Sequence, residues 1–309
     1  MLGLGNSITS QSYVSSGLSW GATKFLDLPG EVGDFAKIES FSNFLGRISD
    51  SGGGDIADNL TVSFWVKPIW TMGNVGTNQH VLGSASSTND FQSNACPLPV
   101  FGNTSTEKDR VRIFYLVDSS SGGDRNRLVI QAMDPSNNQQ RDEVFLHNTN
   151  NSITGVGSTL TNSGITNGWW HTDNQGNVNS DDFVHLAFTR ASGEFSIYWN
   201  GQVMGSPVDA DSGTLGFTES NVDQFWLGRD FTNQVYFKMG YRDIAYFNAE
   251  LSASEVAELY NSGNLFDVRT HSQSANLGLY WPCEDEQELS GAGVSANLSL
   301  QGNASFQSI

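Results

Sequence analysis

Two groups of residues in this sequence could do chemistry by type and spacing. The run Glu284-Asp-Glu-Gln-Glu288 concentrates carboxyls, and glycoside hydrolysis needs a carboxyl pair flanking the scissile bond, one as nucleophile and one as acid/base. The run follows Trp281-Pro282 and precedes Leu289-Ser-Gly291, and it reads as a solvated loop, not a dyad. The segment Asn167-Gly-Trp-Trp-His-Thr-Asp173 sets two adjacent indoles inside the most polar stretch of the chain. Indole faces stack on the apolar faces of sugar rings, while Asn, Asp and His bond the hydroxyls. Trp169, Trp170, His171 and Asp173 are therefore the candidate glycan contacts. Trp169 and Trp170 would equally serve to anchor the loop or fill a subunit contact. His185 lies within a strand-like run and reads as core, and His80, His147 and His271 have no neighbours that suggest a metal cluster. Cys96 and Cys283 are too few for a disulfide framework or a zinc site and read as two ordinary thiols. The sequons at Asn59, Asn103, Asn150, Asn297 and Asn303 are what chance gives in so Asn/Ser/Thr-rich a chain.

The elements that would position these residues follow from composition and period. The chain has 309 residues, with 15 Lys+Arg against 33 Asp+Glu and a formal net charge of −18. That length can bury a substantial core, and an aromatic content of 11% argues against disorder. The acidic balance and the absence of a basic cluster disfavour nucleic acid as a partner. No apolar run approaches the ~18 residues of a membrane span, and the first residues lack the basic and apolar regions of a signal peptide.

Residues 59–68 alternate Leu60, Val62, Phe64 and Val66 with Thr61, Ser63, Trp65 and Lys67, the period of a half-buried strand. Further strands are expected over 23–28, 34–40, 80–84, 110–117, 127–132, 182–190, 194–199, 223–228 and 238–248. One helix is expected over Ser252–Asn261: Ser252 and Glu255 form a capping box, Leu251 staples to Val256, and Gly263 stands where a C-terminal cap belongs. About a dozen strands and one covering helix define an all-β sandwich. The polar segments 85–109, 118–126 and 148–181 read as long loops, which in compact domains tend to be functional. Residues 1–20 are small and polar and read as an N-terminal arm, and residues 21–309 as the domain behind it. Alone, the arm cannot bury enough apolar area to offset an ordering entropy of about 1–2 kcal/mol per residue, so it is expected to order only on assembly.

Several stretches resemble one family. Asp182-Phe-Val-His-Leu-Ala-Phe-Thr-Arg190 leading to Tyr198-Trp-Asn-Gly201 resembles the central hairpin of laminin-G-like domains. Leu227-Gly-Arg-Asp230, Gly240-Tyr-Arg-Asp-Ile-Ala-Tyr-Phe-Asn248 and Leu251-Ser-Ala-Ser-Glu255 resemble that family's closing signature, Phe64-Trp-Val66 its "F-W-V" strand, and Leu277-Gly-Leu-Tyr-Trp281 an edge strand. The resemblance implies a concanavalin A-like jelly-roll sandwich of two antiparallel sheets with one short surface helix. It also implies one Ca²⁺ held by loop carboxylates, with Asp34, Asp230 and Asp243 at the matching positions and Arg242 replacing the usual first acid.

The opening Leu2-Gly-Leu-Gly-Asn-Ser-Ile8 resembles the start of structural proteins of marine bacteriophages that carry such a domain. That implies a non-enzymatic virion protein assembled in the host cytoplasm. It would dock other virion proteins through residues 1–20, form a homo-oligomer and possess surface-glycan adhesion. A lectin-like carbohydrate-binding module is the alternative. Tyr236-Phe-Lys-Met-Gly240 and Arg127-Leu-Val-Ile-Gln131 resemble strands of jelly-roll polysaccharide lyases, in which Tyr or His abstracts a proton while Arg or Gln neutralises a carboxylate. The "Q-(I/V)-H" strand of those enzymes is absent, and a surface of −18 would repel a polyuronate.

Overall fold

A computed structural model of the chain describes residues 23–29, 33–38, 59–68, 95–102, 110–117, 126–133, 139–146, 153–155, 158–160, 183–191, 194–204, 208–212, 224–229, 239–291 and 296–309. Its strands are β1 (Lys24–Leu28), β2 (Phe35–Ile38), β3 (Asn59–Pro68), β4 (Ala95–Gly102), β5 (Arg110–Val117), β6 (Asn126–Met133), β7 (Gln139–Leu146), β8 (Ile153–Gly155) and β9 (Ser158–Leu160). They continue with β10 (Val184–Ala191), β11 (Glu194–Trp199), β12 (Gln202–Val203), β13 (Val208–Ser212), β14 (Gln224–Leu227) and β15 (Met239–Phe247). After the helix α1 (Ala253–Tyr260) come β16 (Leu277–Trp281), β17 (Ser299–Gln301) and β18 (Ser305–Ser308).

All described pairings are antiparallel and form two sheets. The first runs β12-β11-β10-β3-β15-β1-β18, with β16 also on β15; the second runs β17-β2-β14-β4-β5-β6-β7-β8-β9, with β13 also on β7. Between them lies a core drawn from both, including Leu26, Val62, Phe64, Leu186, Phe188 and Tyr246 from the first sheet and Ile38, Phe101, Ile113, Ile130 and Phe225 from the second. Fully burying such a side chain stabilises the fold by roughly 1.5–3 kcal/mol. The fold is a concanavalin A-like jelly-roll sandwich, mostly β with one short α-helix among the described residues, as the alternating strands imply.

The middle of the first sheet is buried on both faces. Its outer face carries a second apolar cluster, Ala187, Tyr198, Ala245, Phe247 and Tyr280, covered by Leu251, Val256, Leu259 and Val268. The helix starts as its sequence dictates: Ser252 accepts from Glu255 N–H, and the Glu255 carboxylate returns to Ser252 N–H at 2.7 Å. Its end differs from expectation. The left-handed cap is Asn261 (φ 46°), followed by Ser262 (φ 55°), and Gly263 lies one position further on. Asn261 can take this role because its short polar side chain tolerates the left-handed region, and here its Nδ2 donates to Leu265 O.

The segments read as loops also differ: 85–109 contains β4 and 148–181 contains the short pair β8–β9. The expected strand at 80–84 and residues 1–20 lie outside the described residues. Among those described, no helix is long and apolar enough to cross a membrane.

Candidate functional site

Trp169, Trp170, His171, Asp173 and Asp230 lie outside the described residues, as do Tyr236 and Lys238. The structure therefore places two of the expected site residues, Asp34 and Asp243, and sets them on different sheets.

Asp34 precedes β2 and is fully buried. Its Oδ1 accepts the Asn303 N–H at 2.7 Å, tying the start of β2 to the β17–β18 turn. Gly302 in that turn has φ 63°, and a Cβ there would sit 2.7 Å from Gly33 O. Only glycine lets the two backbones approach this closely.

Asp243 occupies a β-bulge in β15. Arg242 opposes Trp65 and Ala245 opposes Ser63, so Asp243 and Ile244 share the single position of Phe64. The extra residue adopts φ 46° and resets the alternation: Tyr241 and then Ile244 and Tyr246 point into the core, while Ala245 and Phe247 face the helix. The bulge sits where β1 and β16 meet end to end along β15, and Asp243 N–H donates to Pro282 O at 3.4 Å. Oδ1 of Asp243 accepts the Tyr280 hydroxyl at 2.6 Å, while Oδ2 has no partner and is buried. Burial pushes this carboxyl up to about 7, against the opposing pull of the Tyr280 bond and the Arg242 charge. Arg242 lies over the Phe183 ring at 4.9 Å, and burial draws its guanidinium down from the ordinary arginine value. Cys283 beside it is a free, buried thiol with φ 65°, which burial holds well above its usual range.

A hard cation needs several converging oxygens. Among the described residues no group of three or more His, Cys, Asp and Glu side chains is placed to hold one. Asp34 is bonded to backbone, and Asp243 is hydrogen bonded to a tyrosine beside a guanidinium. These two do not fit the calcium site that the laminin-G resemblance implies.

The acidic run 284–288 is a loop, as expected, but two of its carboxylates, Glu284 and Glu288, are structural. Glu288 is only 7% exposed, and its Oε1 accepts both Tyr280 N–H (2.8 Å) and Ser290 N–H (2.7 Å). Glu284 accepts the Thr23 hydroxyl at 3.0 Å and Lys24 N–H at 3.1 Å. These acids close a turn and fix the start of β1, so they do not face one another across a cleft.

His185 is packed as expected. Its ring lies 5.2 Å from Trp65 and 6.0 Å from Tyr260, its Nε2 is 2.9 Å from Ser63 Oγ, and burial draws the imidazole down to about 3. A Ser–His contact could activate a nucleophile only where substrate can reach it; Ser63 is 3% exposed and His185 1%, beneath α1. His271 is likewise buried, its Nε2 3.0 Å from Glu255 O and its Nδ1 accepting Gln273 N–H. Nδ1 is therefore the bare nitrogen, and Nε2–H donates to the helix.

The two antiparallel sheets give the chain the concanavalin A-like jelly-roll fold. Residues 117–257 match the family described as the concanavalin A-like lectin/glucanases superfamily. Among solved structures, the chain is similar to a native heptameric SAP-like pentraxin from Limulus polyphemus, at 10% identity and TM-score 0.45, over 87% of this chain and 94% of that one. It is also similar to a putative carbohydrate binding protein from Bacteroides ovatus, at 11% identity and TM-score 0.45, over 93% of this chain and 60% of that one. The NanB sialidase from Streptococcus pneumoniae gives 13% identity and TM-score 0.41, over 72% of this chain and 26% of that one. At such values these likenesses carry no argument about ligand or activity. No curated protein sequence matches the chain.

Proposed function

We propose that the chain is a non-enzymatic, lectin-like recognition module. The jelly roll serves as a scaffold, and Trp169, Trp170, His171 and Asp173 make the glycan contact. The observation that carries this reading is that the lectin/glucanase match over 117–257 spans that loop, while Asp34, Glu284, Glu288, His185 and His271 are held in structural contacts. Adjacent indoles supply the stacking platform that sugar recognition uses, and binding without turnover asks for no carboxyl pair. The test is binding of the full chain to an array of neutral and acidic glycans, repeated with Trp169→Ala and Trp170→Ala. At least tenfold loss on one ligand, with an unchanged circular dichroism spectrum, supports the reading. Absence of any glycan binding overturns it. Turnover of alginate or laminarin that depends on Tyr236 or Lys238 would replace it with a lyase.

A second reading is favoured by the opening sequence Leu2–Ile8: a virion structural protein of a bacteriophage, assembled in the host cytoplasm and docked through residues 1–20. Its test is the position of this polypeptide in a purified particle by electron microscopy. Truncation of residues 2–18 is expected to leave the sandwich folded and abolish incorporation.

A further inference from the structure

Among the described residues, one side of the sandwich is open on both sheets. Among the described residues β18 ends the first sheet and pairs with β1 alone, and β17 ends the second and pairs with β2 alone. The turn at Gly302 carries the chain directly from one to the other, so the two free edges lie side by side. Ile309 N–H donates to Thr23 O at 2.9 Å, and the register then runs Phe25↔Gln307 and Asp27↔Ser305. These positions exchange backbone bonds, so the N–H and C=O groups of Phe306 and Ser308 point away from β1. Sheet edges are usually blunted by lysine, proline or a bulge; neither Ser299–Gln301 nor Ser305–Ser308 has one. Behind the edges Leu300, Ala304 and Phe306 touch the core yet are only partly buried, and Ile309 is 66% exposed.

The 22 residues that precede Thr23 join the first sheet at this same corner, where Glu284 fixes Thr23 and Lys24. Residues 1–22 contain no Asp, Glu, Lys or Arg, and neither do residues 289–309, so pairing them sets no like charges together in a chain of −18. Leu2 alternates with Leu4, and Leu18 with Trp20, which gives an extended segment one apolar face. Fully extended, 22 residues reach about 70 Å. To cover its own β18, the segment would have to cross the end of that strand within a few residues of Thr23 and then run parallel to it. Parallel pairing is slightly less stable per residue than antiparallel pairing. A segment from another molecule has no such restriction and can run antiparallel.

We propose that residues 1–22 of a second copy of this chain add as an antiparallel strand to the free edge of β18, with the alternating leucines covering Phe306, Ala304 and Leu300. The inference rests on the docking-arm reading of residues 1–20 and assigns the arm a surface: the neutral edge of an identical molecule.

The experiment uses the full-length chain. Light scattering is expected to give a mass above the monomer. Ser308→Pro removes an outward N–H without touching the β1 ladder, and it should weaken association at least tenfold with unchanged circular dichroism, as should deletion of residues 2–18. A preparation carrying Leu4→Cys mixed with one carrying Ser308→Cys, on the same face of β18 as Phe306, should form a disulfide-linked dimer under mild oxidation, which wild type does not. A monomeric wild-type chain, association that survives Ser308→Pro, or a cross-link formed only when both cysteines share one chain would each overturn the proposal. A chain that is monomeric alone yet needs residues 2–18 to enter a particle overturns this inference and leaves the virion reading standing.

Discussion

A Cβ placed on Gly201 would sit 2.9 Å from the Cβ of Tyr260, so the β11–β12 turn and the end of α1 meet with no room for a methyl group. Trp199 opposes Gln202 across the two-residue turn Asn200-Gly201, and both turn residues have positive φ (47° and 74°). That is the type I′ geometry which fits the strand twist, and Asn-Gly is its preferred pair. The turn therefore sets the hairpin register and the seat of the helix together. Tyr260 in turn stacks on Trp65 at 5.8 Å. Gly201→Ala combines a disfavoured φ with a clash and should destabilise the domain by roughly 1–3 kcal/mol. Urea unfolding measures this directly; a variant within 0.5 kcal/mol of wild type (about the noise of a neutral surface change) would show that the helix does not press on the turn.

Glu288 offers a test of the acidic run. Its Oε1 accepts two backbone N–H groups in a buried setting. Glu288→Ala removes the carboxylate acceptor from both donors, and losing a buried hydrogen-bond partner costs about 1–3 kcal/mol. Glu286→Ala, at an exposed position of the same run, is expected to be neutral. Equal effects at the two positions would mean that the run is uniformly solvated.

The sequence made some of this legible and hid the rest for physical reasons. β3 was readable because one face of it meets the core and its period of two survives. The helix was readable because capping is local, with Ser252 and Glu255 only three residues apart. β4 was hidden by Pro97 and Pro99, which read as loop, although a strand tolerates proline at edges and bulges, and the β4–β5 register does shift between Pro97 and Val100. β7, Gln139–Leu146, was hidden by its charged and amide residues. At the candidate site, Asp243 reads as a ligand because it stands at the acidic position of the laminin-G-like closing signature. The signal that it marks a bulge was present in the slip from Tyr241 to Ile244 and Tyr246, three residues and then two. Asp34 gave no such signal, since its partner is the backbone of Asn303, 269 residues away.

His185 should stay neutral across the physiological range. Burial draws its imidazole to about 3, far below the roughly 6.5 of an unfolded chain. Between those values the unfolded state takes up a proton that the folded state refuses. The stability from the neutral ring is therefore present above pH 6.5 and is lost as pH falls toward 3. Carbon-13 histidine spectra, with the signal assigned by its loss in His185→Gln, should show no titration from pH 5 to 8. A midpoint near 6.5 would mean that water reaches the ring.

Asp243 works in the opposite direction over an overlapping window. Its folded-state value is raised to about 7, chiefly by burial, against an unfolded carboxyl near 4. The folded protein holds a proton between those values and the unfolded chain does not. The associated stability is fully present below pH 4 and is lost as pH rises through 7. Asp243→Asn keeps an oxygen for the Tyr280 hydroxyl and cannot ionise. Relative to wild type it should therefore be near neutral at pH 4 and more stable at pH 8.5, by roughly 2–4 kcal/mol. From about pH 4 to 6.5 the falling contribution of Asp243 and the rising one of His185 offset each other. In that window stability should climb with pH in Asp243→Asn and decline with pH in His185→Gln, each measured against wild type. Urea midpoints at pH 4.5, 6 and 8.5 separate the two slopes, and a difference between Asp243→Asn and wild type that does not change with pH would show that the carboxyl is already ionised in the bulge.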